Sequence, residues 1–377
     1  MSRRAPVPNL VIAQRVIDKM QAAVSRFLED ETGEAMVGLI MPPHQGEAVP
    51  TYYVLDTISP DDSAVRQAHT FQQGDAWQED MMWWYRENWH VRRTGQQRGF
   101  LKPKPEWDAP LIYLGDWHKQ PGYMIAPSGA DLQTALDWLE DPESETDALL
   151  VPIVTLDHPA TIDPNPAAVN YVVIPQGDGT AVRVDWWYVH RDYGFFQPVT
   201  PVIAEYDELP ALAPDPWHLK DTARADEEFA RLEDAGLAVT LALVNIDGQI
   251  PLRIGLSAAR VNGGSRIYLL MTDVHYPATP PQMRLMPFVS MQQGQSIADL
   301  FGTWWKEAEP VTLPDDWAWS PENYLLDFIE AVEAHMGLYT PPVPAADEGQ
   351  TQSTADATSG SPTTGGADHK HTEADER

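Results

Sequence analysis

The sequence predicts a mixed protein, α+β/α/β in class: a mixed β-sheet with flanking helices, then a smaller α+β domain, then an unstructured tail. Three observations carry this. Residues 111–139, LIYLGDWHKQPGYMIAPSGADLQTALDWL, read as strand, loop and helix. Residues 205–221, EYDELPALAPDPWHLKD, are Pro-rich and acidic and set a boundary between two groups of elements. Beyond it, apolar runs separated by Gly turns read as an antiparallel meander. The predicted organisation is a domain over 1–204, a linker over 205–221, a second domain over 222–340 and a disordered acidic tail over 341–377.

In the first domain, Ile12, Val16, Met20, Ala23, Val24 and Phe27 recur at helical spacing and predict a helix ending near Leu28. The acidic stretch Glu29-Asp30-Glu31-Thr32-Gly33-Glu34 leads into residues 35–41, which suit a buried strand stopped by Pro42-Pro43. Residues 51–55 supply a strand to pair with it. Over 64–89, Trp77, Met81, Trp84 and Tyr85 at helical intervals predict a helix whose aromatic face packs on the sheet. His69 and His90 flank that pattern and are reserves for a metal crevice.

In the central stretch, the apolar run Leu111, Ile112, Tyr113 and Leu114 ends at Gly115 and residues 117–121 form a loop. Ser128-Gly129-Ala130-Asp131 then opens a helix with Leu132, Leu136 and Leu139 on one face. His118 at the strand end and Asp131 in the first helical turn can point into one crevice, as ligands of a divalent metal must. Further strands are predicted at 148–156, 170–175 and 180–189, the last entered through the hairpin turn Gly177-Asp178-Gly179.

The second domain opens with a helix over 224–232, with Phe229 and Leu232 on one face. Strands follow at 238–244, 250–256 and 266–271, then the rigid loop His275-Tyr276-Pro277-Ala278-Thr279-Pro280-Pro281 and a strand at 283–286. Trp317-Ala318-Trp319-Ser320-Pro321 leads into a helix with Leu325, Phe328, Ile329 and Val332 at i, i+3, i+4 and i+7. The tail from Pro341 lacks apolar periodicity, and its HKH reads as part of a solvated segment.

Composition excludes several chemistries. The 377 residues contain no cysteine, so there is no disulfide framework, no Cys-ligated zinc and no thiol nucleophile. No apolar run approaches the roughly 20 residues that cross a bilayer, and no apolar core follows the arginines of MSRRAPVPNL, so a soluble cytoplasmic protein is expected. The net charge of −31 opposes broad binding to nucleic acid or anionic lipid, whose phosphates it would repel. The tail holds seven acidic and two basic residues, which leaves the body strongly acidic as well.

Residues 9–203 resemble the JAB/JAMM (MPN) metalloprotease family. Its signature is a glutamate in an E-T-G-like segment, then H-x-H, seven residues beginning with Pro, Ser, two residues and Asp. Glu31-Thr32-Gly33, His118-Lys119-Gln120-Pro121, Ser128 and Asp131 match all of its positions except one, and Gly115-Asp116-Trp117-His118 looks like the lead-in of prokaryotic members. The resemblance implies a Zn2+ ion held by His118, Asp131 and the residue at position 120, with a water as the fourth ligand. It implies Glu31 as general base, Ser128 as hydrogen-bond donor to the oxyanion, and cleavage of an isopeptide or C-terminal peptide bond of a ubiquitin-like protein. The departure is Gln120, which stands where the family has its second histidine. An amide oxygen is a weaker zinc donor than imidazole. Three outcomes follow: Gln120 binds through its oxygen, another histidine such as His69 or His90 substitutes, or the domain is a metal-free pseudoenzyme.

Residues 222–338 look like a ubiquitin-conjugating-enzyme fold of the cysteine-less variant kind. The elements that carry this are Tyr276-Pro277, Pro280-Pro281 and Trp319-Ser320-Pro321, in that order, with Ile297 where the family's cysteine stands in Gly294-Gln295-Ser296-Ile297-Ala298-Asp299. Without a thiol, thioester transfer is excluded, and the domain is expected to be a binding platform for a ubiquitin-like protein or a partner activating or conjugating enzyme. The alternative for the whole chain is a catalytically inactive scaffold in a bacterial-type conjugation system.

Overall fold

The computed structural model describes residues 6–338 apart from 45, 74–75, 97–106, 143, 145, 160–168, 247, 263, 290–294 and 296. The acidic tail lies outside the described residues, as do Gly294 and Ser296 of the segment around Ile297.

The chain enters through β1 (Asn9–Ala13) and turns directly into α1 (Gln14–Arg26), which buries Val16, Ile17, Met20 and Val24. The strand is not among the predicted elements, because its apolar residues merge with the periodicity of the helix behind it. β2 (Gly33–Met41) and β3 (Thr51–Ile58) pair antiparallel, as expected of their apolar runs. The helix predicted over 64–89 is in fact two things. A small hairpin, β4 (Val65–Gln67) and β5 (Thr70–Gln72), comes first, and α2 (Ala76–Gln96) begins only after it. Met81, Trp84, Tyr85 and Trp89 form its buried aromatic face.

β6 (Ile112–Lys119) runs through the position at which the sequence predicted its end. Gly115 sits at φ 121, where a Cβ would lie 2.0 Å from the Leu150 carbonyl oxygen, so it bends the strand without ending it. His118 is therefore a strand residue and not a loop residue. α3 (Gly129–Glu140) follows, then β7 (Ala148–Leu150), β8 (Ile153–Pro159), β9 (Tyr171–Pro175), β10 (Thr180–Asp185), β11 (Trp187–His190), β12 (Gln197–Pro198) and β13 (Pro201–Ala204). Two predicted strands, 148–156 and 180–189, are each divided. The second breaks at the fully buried Trp186, where the chain leaves one sheet for another.

The large sheet has the order β13-β1-β3-β2-β6-β8-β10-β9, and the small one is β12-β11-β7. Parallel pairs, β1 with β13 and β3 and β6 with β8, are embedded among antiparallel ones. α3 packs on the small sheet through Ala135, Leu139, Leu149, Val151 and Val189.

Residues 205–221 pack along α2 and end in the one-turn helix α4 (Trp217–Lys220). Trp77 and Trp84 donate their indole N–H groups to the Leu219 and Pro214 carbonyls at 2.8 and 3.0 Å, and the Tyr85 hydroxyl donates to Asp215 at 2.5 Å. Leu209 and Trp217 are buried in a core shared by both halves of the chain.

The second half contains α5 (Thr222–Asp234), the antiparallel meander β14 (Leu237–Val244), β15 (Arg253–Arg260), β16 (Arg266–Thr272) and β17 (Gln282–Pro287), then α6 (Ile297–Glu307), β18 (Glu309–Pro310) and α7 (Leu325–Met336). β16 shows why its run is wholly apolar. Ile267, Leu269 and Met271 face Phe301, Trp304 and Trp305 of α6, whereas Tyr268 and Leu270 join the core that holds Leu325, Phe328 and Ile329 of α7. Two buried glutamates of this half are paired: Glu333 meets Arg260 in a two-pronged bridge at 2.6 and 2.9 Å, and Glu228 meets Arg224. The predicted mixed class therefore holds at the level of α+β content. Among the described residues no helix is long and apolar enough to cross a membrane.

Candidate metal centre

The last two residues of β6, His118 and Lys119, and Gln120 just beyond them divide between the two faces of the sheet, because the side-chain alternation of the strand carries on through them. His118 and Gln120 face one way. Lys119 faces the other, where its ammonium donates to the Phe27 and Leu28 carbonyls at 2.5 and 2.7 Å and closes the C-terminal end of α1. That tie fixes the segment leading to Glu31. The backbone is held on both sides, Lys119 N to Thr32 O at 2.7 Å and Gln120 N to Val154 O at 2.9 Å. Gly33 pairs with His118, so continuing the antiparallel register sets Glu31 opposite Gln120 on the face that carries His118. Gly33 itself leaves room for Phe71, since a Cβ there would lie 2.7 Å from that ring and 2.2 Å from the Trp117 carbonyl oxygen.

The helix α3 brings the other wall. Ser128 is its N-cap and Asp131 its third residue: Asp131 N–H donates to Ser128 Oγ at 3.2 Å, and Ser128 N–H donates to Asp131 Oδ2 at 2.5 Å. The S-x-x-D spacing is thus a complete capping box. Asp131, Thr134, Ala135 and Trp138 succeed one another on the helical face turned to the cleft.

All five predicted residues, Glu31, His118, Gln120, Ser128 and Asp131, line this one cleft of about 750 Å³. The His118 Nε2 atom is 3.6 Å from Asp131 Oδ1, and the Gln120 Nε2 atom is 3.2 Å from His118 Nε2 and 3.3 Å from Asp131 Oδ2. The three side-chain ends form a triangle. Gln120 is 7% exposed, and its Oε1 has no hydrogen-bond partner.

No family model matches the chain, and no curated protein is similar to it in sequence.

Donors on one tetrahedral zinc, at about 2.0–2.2 Å from it, lie roughly 3.3–3.6 Å apart. The triangle has that size, and a half-turn of the Gln120 amide exchanges its two ends, putting the unpartnered oxygen beside His118 and Asp131. The donor set therefore fits a divalent ion. Burial depresses the basicity of His118 against the opposing pull of Asp131, which favours the neutral imidazole a metal requires. Burial first, and then the Asp131 charge, raise the Glu31 pKa, while His69 and Lys119 oppose the rise. A carboxylate so placed is a better proton acceptor than a solvated one. Among the described residues, no group of three or more His, Cys, Asp or Glu side chains is arranged to hold a metal, so a centre here depends on Gln120 or on a group brought from elsewhere in the cleft.

Of the two reserve histidines, His69 lines the cleft, whereas His90 is exposed on α2 and does not. The sequence reading missed Asp116. It lies two residues before His118 on the same strand face, lines the same cleft, accepts the Tyr113 hydroxyl at 2.6 Å and has its pKa pushed up to about 6 by burial. The signal was the two-residue alternation of a strand, and it was hidden once Gly115 was read as the strand's end.

Proposed function

We propose that the chain is a zinc-dependent peptidase or isopeptidase of the JAB/JAMM type, acting in the cytoplasm on a ubiquitin-like protein or its conjugates. The observation that supports it above the rest is the convergence of Glu31, His118, Gln120, Ser128 and Asp131 on one cleft from three separate segments of sequence. His118, Asp131 and the Gln120 amide oxygen would hold the ion. When bound, zinc supplies a Lewis acid that polarises the scissile carbonyl and lowers the pKa of its water. Glu31, less acidic than a solvated glutamate, takes a proton from the attacking water and returns it to the leaving amine. Ser128 Oγ accepts the Asp131 amide, which leaves its hydroxyl proton for an oxyanion.

The second half serves in this reading as a cysteine-less conjugating-enzyme-like platform for the ubiquitin-like protein or a partner enzyme. Its two specific motifs meet in space, which supports that assignment: Trp319 donates its indole N–H to the Pro277 carbonyl at 2.8 Å, and the Tyr276 and Trp319 rings are 5.6 Å apart.

One observation favours the alternative, an inactive scaffold in a ubiquitin-like conjugation system. The Gln120 NH2 group already bridges His118 and Asp131, and Ser128 with Asp131 already caps α3. Metal analysis separates the two readings. Near one zinc per chain, with Glu31→Gln abolishing cleavage of a ubiquitin-like fusion while zinc stays bound, establishes the hydrolase. Protein left metal-free after incubation with zinc at neutral pH establishes the scaffold.

A further inference from the structure

Among the described residues, three carboxylates line the cleft, those of Glu31, Asp116 and Asp131, together with two histidines and neither lysine nor arginine. The proposed chemistry uses two of the three. Glu31 handles a proton and Asp131 the ion, while Asp116 is left without a task. Asp116 Oδ2 accepts the Tyr113 hydroxyl at 2.6 Å, and the Gln73 side chain, also neutral, stands beside the carboxylate. Its Oδ1 keeps no hydrogen-bond partner. An acceptor left empty in this way costs free energy that the N–H of a ligand recovers.

The placement is built by β6. Tyr113 and Asp116 are three residues apart, and on a regular strand they would face opposite ways. Gly115 pairs with Met36 and Tyr113 with Val37, which leaves Leu114 as an extra residue that turns into the main core. The bulge sends both Tyr113 and Asp116 to the cleft. Trp138 of α3 packs against the tyrosine, with ring centres 4.9 Å apart. Two aromatic rings beside a carboxylate attract a cation through the charge and through the ring faces, and Leu149 and Val151 in the same lining suit the methylene stem behind it. Asp116 stands two residues before His118 on the same strand face, about 6–7 Å along it, a span that a lysine or arginine side chain covers.

We infer that this end of the cleft is a binding site for a lysine or arginine side chain, which in the hydrolase reading flanks the bond to be cut. The inference rests on that reading for what is cleaved, whereas the pocket itself is tested without turnover. Saturation-transfer NMR on the full chain at neutral pH measures the affinity of Nα-acetyl-lysine N-methylamide and of its norleucine analogue, which has the same stem without the ammonium. Selective binding of the lysine compound is expected, weakened about tenfold or more in Asp116→Asn and unchanged in Asp137→Asn, an exposed position of α3 outside the cleft. Asparagine keeps an oxygen for Tyr113, and thermal unfolding checks the fold. Thr134→Lys, at an exposed position of the cleft wall, hangs an ammonium of the chain's own over the site and should exclude the lysine compound with the core undisturbed. Equal affinity for the two compounds in the wild type, or undiminished selectivity in a folded Asp116→Asn, would overturn the inference and leave the hydrolase reading standing. Selective binding by protein that takes up no zinc and cleaves no ubiquitin-like fusion would uphold the cationic pocket and remove the hydrolase.

Discussion

Asn88 of α2 accepts the backbone N–H of Leu252 on its Oδ1 at 2.7 Å, with both residues buried. Its Nδ2 meanwhile donates to the Trp84 carbonyl one turn back. One side chain thus joins a helix of the first half to the entry of β15 in the second. Asn88→Ala leaves a buried N–H without a partner and is expected to lower stability by about 1–3 kcal/mol. Chemical denaturation followed by Trp fluorescence measures it, and an unchanged midpoint would mean the bond contributes nothing.

Trp217 is the corresponding anchor in the segment between the halves. Its indole N–H donates to Thr272 Oγ1 at 2.8 Å, and its ring lies 4.7 Å from that of Tyr276. Trp217→Ala should cost about 3–5 kcal/mol, the range for deleting a large buried ring. Calorimetry is expected to show both halves losing stability together.

Gly33→Ala tests the floor of the cleft. The added methyl would approach the Trp117 carbonyl and the His118 Cα, backbone atoms that have nowhere to go, as well as the Phe71 ring. An overpacking penalty of about 1–3 kcal/mol is expected. Because the strain falls on β6 and on the hairpin together, zinc affinity should fall with stability, which a chelator competition reads directly.

Gln120→His places a second imidazole immediately after β6. Zinc affinity should rise by about tenfold or more, since imidazole is the stronger donor. Competition with a chromophoric chelator measures it, and an affinity equal to that of the wild type would mean position 120 does not face the ion.

His218 supplies a pH test remote from the cleft. Burial lowers its pKa below the ordinary 6.5, against an opposing pull from Asp80. The unfolded chain therefore binds the proton more readily, and folding stability contributed by neutral His218 is present above pH 6.5 and lost as pH falls toward the folded pKa. The slope of melting temperature against pH between about 5 and 7 should flatten in His218→Gln.

How much of this was legible beforehand depends on whether the controlling interaction was local. The helix α3 could be read, cap included, because Ser128 and Asp131 act within four residues. β1 could not: Leu10 and Ile12 qualify equally for the helix that follows, and what makes the segment a strand is pairing with β3 and β13, the latter almost two hundred residues away. The bend at Gly115 is set by the carbonyl of Leu150, and the division at Trp186 by a change of sheet, neither of which leaves a mark in the neighbouring residues. At the centre, His118 and Asp131 could be named from residue type and position and Glu31, Gln120 and Ser128 only through the family resemblance, but the lengths of the triangle and the unpartnered amide oxygen are facts of packing.

The segment 205–221 has a further consequence. Arg15 and Arg92 reach into it to donate to the Pro210 and Ala211 carbonyls, and Trp77 and Trp84 find their acceptors there. A fragment that stops at residue 204 keeps these four donors and loses every one of those acceptors, and it lays bare the aromatic side of α2. Halves expressed apart should be adhesive and poorly soluble, while the intact polypeptide, sewn along that seam, melts as a unit.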